Sequence, residues 1–479
     1  MTEPNPQPAT RDRTAAIFVV TALGAFMASL DLSIVNIAFP ALQRSFPHDK
    51  LGTISWVITG YAIAFGALLV VTGRTADRLG ARRVFFTGLG VFCAASAICG
   101  IAPSLVLLIV GRVAQGLGAA AMLPASLGLL LASVPLAKRT VTVAKWAGVG
   151  ALAVATGPTL GALLVTAGGW RWVFYVNVPI GAAAWVAGRV VLPRTTPDAS
   201  RSAPDYLGAL LVCVALAALV LGLTQGPTWG WSTPGTIGCI VAAVVVGSGF
   251  ALRCARHPEP VLDLTLFTSR TFSVANSAMV LYAIGFFGML LGNILFLQHV
   301  WHYSVVDAGL AVTPGPFVVA CVSSSAGKLA NRIGFRTVLL CGSGVLSVGL
   351  LLYAVRVGVR PDYAGVWLPS TVLIGLGIGL TFPVLGATAV SSLAPERFSV
   401  GSAVNQTARQ VGGAVGVALL VVILGSSSAV PALSSFRHLW EFAAAMAVLS
   451  GLVCCLLPRR SVSNPTASVV AAPATAAAR

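Results

Sequence analysis

The sequence predicts an all-α membrane protein whose chain crosses the bilayer many times. Hydrophobic residues make up 57% of the 479 positions, charged residues make up only 9%, and mean hydropathy is +0.91. About a quarter of the residues in a soluble domain are charged, so this composition excludes an ordinary soluble fold. Apolar windows of about 20 residues, the length that one helix needs to cross a bilayer, recur between short polar or Gly- and Pro-containing breaks.

Fourteen of these windows are predicted as membrane spans, and together they divide the chain into five parts. The spans are residues 15–40, 52–73, 83–102, 105–131, 142–167, 171–192, 206–224, 235–252, 272–297, 307–327, 337–355, 365–391, 401–425 and 438–457. An even number of spans leaves both termini on one side. The predicted parts are an N-terminal tail (1–14), a six-helix bundle (15–192), loops with two inserted helices (193–271), a second six-helix bundle (272–457) and a disordered tail (458–479).

The basic residues predict which side of the membrane is which. Of the 30 Lys and Arg, Arg112 and Arg409 lie deep within predicted spans, and six lie in segments or span ends on one side: Arg44, Lys50, Arg171, Arg356, Arg360 and Arg437. All the others lie on the opposite side, which the positive-inside rule identifies as the cytoplasm. We therefore expect a multi-pass plasma (inner) membrane protein with both termini cytoplasmic. The net charge of +17 is spread over these loops, so no nucleic-acid partner is predicted.

An internal repeat shows how the two bundles are related. The segment Gly73–Arg82, between spans 2 and 3, recurs as Gly327–Arg336, between spans 10 and 11. Duplicated halves of six spans would place the copies six spans apart, but here they are eight apart. Two spans, the seventh and eighth, are therefore predicted as an insertion between two six-helix bundles. Repeated halves of this kind place a transport site between the bundles in many transporters.

Two charged side chains inside the N-terminal bundle are predicted to form a pair. Asp31 lies in the first span, where a carboxylate costs at least ~2.5 kcal/mol to insert and is usually functional. Arg112 is the only cation in the fourth span, and Gln115 lies on the same helix face at i+3. A single buried charge would be prohibitive, so Asp31 is expected to compensate Arg112. A purely structural ion pair is the alternative.

Other residues within the spans are candidates for substrate binding or for helix bending. The side chains predicted to line a substrate cavity are polar: Asn36, Gln115, Asn276, Tyr282, Asn293, Asn405, Gln406 and Arg409. Hydrogen bonding between helices is the alternative role for such residues. In the fifth span, Pro158 removes a helix hydrogen bond, while Gly157 and Gly161 allow close approach of a neighbour, so a bend at a packed interface is predicted.

Taken in order, these motifs resemble the major facilitator superfamily, in its fourteen-span drug:proton antiporter branch. The residues that carry the resemblance are Leu30–Pro40, Gly73–Arg83, Leu108–Ala120, Gly148–Ala162 and Trp170–Gly181. Gly73 and Gly80 permit tight turns and Asp77 can cap a helix or pair with an Arg, so Gly73, Asp77, Arg78, Gly80 and Arg82 are expected to latch one bundle to the other. Ordinary cytoplasmic anchoring charge is the alternative role for this loop. The resemblance implies export, since the fifth-span motif is associated with antiporters. Thr75 in the first copy stands where the family prefers Leu, and Asn331 removes the carboxylate from the second copy. The first loop, which keeps its carboxylate, is therefore the better candidate for the latch.

The expected function is proton-driven export of small amphipathic drugs, antibiotics or dyes by alternating access, with Asp31 as the proton carrier. Few acids are buried, so monovalent cationic, neutral or zwitterionic substrates are favoured over dications. The partners are then protons, the substrate and the lipid bilayer, and a monomer is sufficient. No metal site, phosphate-binding loop or nucleophile–base grouping is present in the sequence, so no cofactor and no enzyme activity are predicted. The alternatives are a proton-coupled uptake symporter for a nutrient and a non-transporting membrane sensor.

Overall fold

The computed structural model describes residues 8–194, 204–258, 260–393, 398–425 and 432–458. Most of the predicted C-terminal tail, from residue 459 onward, and the first seven residues of the predicted N-terminal tail lie outside the described residues. Throughout the described ranges, long helices are joined by short connections. The prediction of an all-α chain is confirmed.

The N-terminal half places a helix in each of the first six predicted spans. Its helices are α1 (Pro8–Ser45), α2 (Leu51–Ile54), α3 (Trp56–Leu79), α4 (Ala81–Ile101), α5 (Leu105–Ala132), α6 (Leu136–Gly168), α7 (Trp172–Tyr175) and α8 (Asn177–Val191). Because α1 begins at Pro8, the last seven residues of the predicted tail 1–14 are helical.

A hairpin and a second bundle follow. The hairpin consists of α9 (Tyr206–Trp229) and α10 (Pro234–Arg256), and a short 3-10 helix (Leu264–Thr268) leads to the second half. The second half contains α11 (Arg270–His299), α12 (Val305–Val312), α13 (Pro314–Ile333), α14 (Phe335–Arg356), α15 (Leu368–Ser391), α16 (Phe398–Leu424) and α17 (Leu433–Cys454), with one π-helical segment (Tyr363–Trp367) before α15.

The predicted number of fourteen membrane spans is not confirmed. Among the described residues, twelve helical segments are long and apolar enough to cross a membrane, or thirteen if the bent helix α6 counts as one span. The segment at the fourteenth predicted span, α17, is not among them. Arg437, His438 and Glu441 lie in its first turns and lower its mean hydropathy.

The repeated loops fold alike in both halves. Gly80 lies between α3 and α4 with φ of +93°, and Gly334 lies between α13 and α14 with φ of +94°. A side chain with a Cβ adopts this backbone region only with strain, which explains why glycine stands at both positions. The internal repeat is therefore a structural repeat as well as a sequence repeat.

The two halves pack against each other through three groups of helices. Contacts join α3 to α16, α6 to α12 and α13, and α1 to α11. At the first of these, the Thr407 hydroxyl donates a 2.7 Å hydrogen bond to the Gly66 carbonyl. Helix α9 of the inserted hairpin packs against both α3 and α16. The hairpin thus borders the seam between the halves.

Candidate functional site

Asp31 and Arg112 form an ion pair inside the N-terminal half, as the sequence predicted. Arg112 Nη1 lies 2.5 Å from Asp31 Oδ2. The two side chains are 0% and 1% exposed, so neither charge is hydrated in this conformation. Helix α1 supplies the acid and α5 supplies the base, and the pair therefore ties these two helices together.

Three neutral polar side chains complete the surroundings of Asp31. Gln115 Nε2 donates a 2.8 Å hydrogen bond to Asp31 Oδ1, and Gln115 Oε1 accepts a 2.6 Å bond from Arg112. Asn177 Nδ2 is 3.4 Å from Asp31 Oδ1 and 3.0 Å from Ser96 Oγ. We call Asp31, Arg112, Gln115, Asn177 and Ser96 the charge cluster; its members come from α1, α4, α5 and α8.

Arg112 also contacts the helix that faces the second half. Its Nε donates a 2.7 Å hydrogen bond to the Val57 carbonyl in α3. Its guanidinium lies over the Tyr61 ring at 4.3 Å and over the Phe174 ring at 5.7 Å. An arginine over aromatic rings gains cation–π energy while it is kept from water. The position of Arg112 therefore depends on α3 as well as on Asp31.

The chemistry of the charge cluster follows from its burial away from water. A paired and hydrogen-bonded charge is tolerated in a protein interior, whereas removal of one partner leaves the other uncompensated at a cost of about 3–5 kcal/mol. Protonation of Asp31 would create that situation for Arg112. A change in the charge of either residue is therefore costly while the cluster stays closed.

Helix α6 bends where the sequence predicted, and the structure explains how the bend is stabilised. The segments Gly148–Val154 and Thr156–Gly168 meet at 43°. Pro158 has no N–H, so the carbonyl of Val154, four residues earlier, loses its helical donor. Ser33 Oγ in α1 donates a 3.0 Å hydrogen bond to that carbonyl. A polar group two residues from Asp31 thus compensates for the missing hydrogen bond.

The glycines near the bend allow α1 to approach α6. A Cβ added to Gly157 would lie 2.5 Å from Ser33 Cβ, and one added to Gly161 would overlap Ile34 and Ile37. Neither position can hold a larger residue without movement of α1. Gly157 and Gly161 thus lie where α1 packs closely against α6.

Most of the predicted cavity residues in the second half and in α1 are bonded to other protein groups. Asn405 Nδ2 donates to Asn276 Oδ1 at 3.1 Å, which joins α16 to α11. Asn293 Oδ1 accepts a 2.9 Å bond from the indole of Trp440, and Asn36 donates to the carbonyl of Leu32 one turn earlier. These four residues, like Gln115, therefore already make hydrogen bonds within or between helices.

Arg409 and Tyr282 differ from these residues. Arg409 Nε and the Tyr282 hydroxyl are buried atoms without a hydrogen-bond partner among the described residues. Arg409 lies 5.3 Å over the Phe382 ring, and Tyr282 lies 5.9 Å from the same ring and stacks at 6.0 Å on Phe286. We call Tyr282, Phe286, Phe382 and Arg409 the aromatic site; Gln406, which is half-buried, lies one turn before Arg409 on α16.

Tyr61 of α3 is close to members of both the charge cluster and the aromatic site. Tyr61 of α3 lies within electrostatic range of Arg409 and of the Asp31–Arg112 pair. Tyr61 is fully buried, and its hydroxyl is 3.4 Å from the Ala28 carbonyl. Tyr61 is therefore near both Arg112 of the first half and Arg409 of the second half.

The residues predicted as a latch lie in and around the α3–α4 turn. Gly80 makes the turn. A Cβ added to Gly73 would lie 3.6 Å from the Cβ of Pro124. Arg82 Nη2 donates a 2.8 Å bond to the Arg189 carbonyl, which joins α4 to the end of α8. Asp77 and Arg78 lie in the last turns of α3. The hydrogen bond from Arg82 to the Arg189 carbonyl thus lies within the first half.

Sequence reasoning missed Asn177, Ser96, Ser33 and Tyr61. Asn177 belongs to the motif Trp170–Gly181, to which no chemistry was assigned, although an amide in an apolar span was a signal. Ser96 and Tyr61 were single polar groups in apolar helices, a pattern too common to single them out. Ser33 could have been found by asking which donor serves the carbonyl that Pro158 leaves free.

Comparison with known proteins gives consistent matches. The family model described as Major Facilitator Superfamily matches residues 21–417 and, separately, 277–476. The chain is 35% identical to the tetracenomycin C resistance and export protein of Streptomyces glaucescens, covering 88% of this chain and 78% of that one. It is 34% identical to the multidrug resistance protein Stp of Mycobacterium tuberculosis, covering 85% and 75%.

Two further comparisons extend the likeness. The chain is 32% identical to the methylenomycin A resistance protein of Streptomyces coelicolor, over 85% of this chain and 86% of that one. A solved structure of a bacterial homologue of the human drug peptide transporters PepT1 and PepT2 matches with a TM-score of 0.64 at 13% identity, covering 92% and 97%. At that identity, the structural match shows the fold alone.

Proposed function

Because the chain belongs to the major facilitator superfamily, we propose that it exports small amphipathic aromatic molecules in exchange for protons. It is a multi-pass membrane transporter of this superfamily, and its curated relatives are named as resistance and export proteins rather than enzymes. The finer statement, proton antiport by alternating access, is our proposal. The observation that carries it is the sealed Asp31–Arg112 pair.

The proposed coupling begins with the state of Asp31. In this conformation the carboxylate is paired and fully buried, so the structure fits the deprotonated form of the carrier. Binding a proton leaves Arg112 without its counter-charge, and the cost drives the helices toward an arrangement that hydrates one of the two groups. Asp31 would release its proton toward the cytoplasm as substrate binds and regain one from outside after export.

We propose that a change in the charge cluster is transmitted to the second half through α3. Arg112 holds the Val57 carbonyl and stacks on Tyr61, so a shift of Arg112 acts on the helix that packs against α16. On the other side of the seam lies Arg409 of the aromatic site. Loss of the Asp31–Arg112 pair thus changes the contact between the halves at the place where substrate is proposed to bind.

The proposed substrate site is the aromatic site. The buried Arg409 Nε and the Tyr282 hydroxyl can each donate one hydrogen bond to a ligand. The rings of Phe286 and Phe382 offer stacking surfaces beside them. This chemistry suits planar molecules with carbonyl or phenolic oxygens. The sequence favours monovalent cationic, neutral or zwitterionic substrates. Because Arg409 is positively charged, cationic substrates are disfavoured at this site, and neutral and zwitterionic molecules remain.

We also propose fourteen spans with both termini in the cytoplasm. Helix α17 packs against α11 and α14, and its Trp440 is buried among aromatic rings of the second half. These contacts support its assignment as the fourteenth span despite its charged first turns. Reporter fusions after residue 458 and before residue 8 test the topology, since fluorescence in the cytoplasm is expected for both and a signal from only one would contradict it.

Transport measurements in inverted membrane vesicles test the proposed function. With an acidic lumen, addition of tetracenomycin C, methylenomycin A or puromycin, the compounds in the names of the relatives, is expected to release protons from the lumen. Vesicles without the protein are the control. A nutrient symporter would release no protons under these conditions, and a non-transporting sensor would move neither protons nor drug.

A further inference from the structure

A basic groove lies on the outer surface of the first half, where the start of α4 meets the end of α8. It has a volume of about 590 Å³, and its lining includes Arg82, Arg83, Arg189 and Arg194 together with the rings of Phe86 and Trp185. An adjoining depression of about 430 Å³ shares three of these arginines and adds Arg13 from α1. We call the two together the basic groove. Neither transport of substrate nor proton coupling, as proposed above, uses it.

The groove concentrates positive charge. Five arginines line it, and the described residues that line it include no Asp or Glu. Arg82 donates to the Arg189 carbonyl and lies 5.7 Å over the Phe86 ring, while Arg189 lies 5.9 Å over the Trp185 ring. The planar guanidinium of an arginine can donate two parallel hydrogen bonds to two oxygens of one phosphate group. The groove therefore offers several guanidinium groups to a phosphate-bearing anion, and two of them, Arg82 and Arg189, lie over aromatic rings.

The surface beside the groove indicates what the anion is attached to. On α8, Val186 and Val190 are 68% and 81% exposed, one turn apart and flanking Arg189. Apolar side chains this exposed on a membrane helix face the acyl chains of the bilayer. The phosphate-binding groups thus stand at the end of a lipid-facing surface. A ligand that satisfies both parts has an anionic head and apolar tails.

We propose that the basic groove binds the headgroup of an anionic phospholipid, with its acyl chains along α8. Basic pockets on the cytoplasmic side of membrane helices bind anionic lipid headgroups, and the groove lies at the face that carries the basic loops. The lipid would bridge α4 and α8 through Arg83, Arg189 and Arg194. Both helices also contribute to the charge cluster, so bound lipid would stabilise the bundle that holds the ion pair.

Lipid binding to the purified full-length protein in detergent tests this proposal. Dioleoyl phosphatidylglycerol, dioleoyl phosphatidylcholine and inorganic phosphate are titrated separately, with retained lipid counted by native mass spectrometry and the melting temperature followed in parallel. Phosphatidylglycerol is expected to bind and raise the melting temperature, and phosphatidylcholine is expected to do neither. Equal binding of the two lipids, or the same stabilisation by phosphate alone, would overturn the lipid assignment.

Matched variants locate the site. Arg83→Gln with Arg194→Gln is expected to weaken phosphatidylglycerol binding about tenfold or more. Arg256→Gln with Arg270→Gln removes the same charge from exposed positions outside the groove and is expected to change binding less than twofold. Equal losses in both would show general charge attraction and overturn the site. If the double groove variant does not fold, Arg13→Gln alone, which changes only the rim, gives the same comparison.

Discussion

Ser33 Oγ in α1 donates a 3.0 Å hydrogen bond to the Val154 carbonyl in α6, the carbonyl that Pro158 leaves without a helical donor. Ser33 lies two residues from Asp31 on the same helix. The bend of α6 and the carboxylate of the charge cluster are therefore attached to one rigid segment of α1. A movement of α1 that follows protonation would act directly on the bend.

Ser33→Ala tests this attachment. The variant leaves the Val154 carbonyl without a donor at a packed interface, and we expect a loss of about 1–2 kcal/mol in stability together with slower drug-dependent proton release. Ser29→Ala is the control, because Ser29 lies one turn earlier in α1, beside Gly150. Melting temperatures and vesicle transport are measured for both. Equal behaviour of the two variants would contradict a role for the hydrogen bond.

The close approach of α1 and α6 gives a second prediction. Gly161→Ala places a methyl group against Ile34 and Ile37, and overpacking of this kind costs about 1–3 kcal/mol. Gly148→Ala in the same helix meets nothing within 4 Å, so it is expected to be neutral or slightly stabilising. Thermal unfolding of the purified variants makes the comparison. A loss of stability in Gly148→Ala as large as in Gly161→Ala would show that the effect is not one of packing.

The variant Tyr282→Phe distinguishes a role of the Tyr282 hydroxyl in substrate binding from a role in protein stability. The Tyr282 hydroxyl is buried without a partner, so its removal is expected to leave stability unchanged or improve it by up to about 1 kcal/mol. Loss of the donor is expected to raise the apparent KM for substrate about five- to tenfold. Transport rates at varied drug concentration measure the KM.

Tyr353→Phe is the matched control for this experiment. Its hydroxyl lies 2.5 Å from Thr371 Oγ1 in a buried pair, outside the aromatic site. Removal of that hydroxyl is expected to cost about 1 kcal/mol of stability and to leave the KM unchanged. A higher KM in Tyr353→Phe, or an unchanged KM in Tyr282→Phe, would contradict the proposal that substrate binds at the aromatic site.

Sequence reasoning recovered the helices and the main charged pair for physical reasons. Apolar windows of fixed length predict the helices because the bilayer imposes that length. Asp31 and Arg112 could be matched because charges inside spans are so few that each demands a partner. The turn glycines Gly80 and Gly334 could be recognised because the motif repeats.

The roles of neutral polar residues could not be predicted in the same way. Gln115 was expected in the substrate cavity, but it bonds to both members of the ion pair. Asn293 was grouped with it, yet it accepts a bond from Trp440, which is far away in sequence. A side-chain amide can hydrogen-bond to any polar group that tertiary packing brings near it. Helical periodicity predicts only which face of the helix the amide occupies, not its partner. The number of spans likewise depended on α17, whose hydropathy is marginal because of its charged first turns.

Asp31→Asn, measured in inverted vesicles as drug-dependent proton release, tests the central claim most directly. Asp205→Asn is the control, since Asp205 is another buried acid, 2% exposed and paired with Arg253 at 2.7 Å, but outside the charge cluster. We predict that Asp31→Asn releases no protons when drug is added, while Asp205→Asn keeps the wild-type number of protons per drug molecule. Proton release by Asp31→Asn at the wild-type ratio would contradict the account.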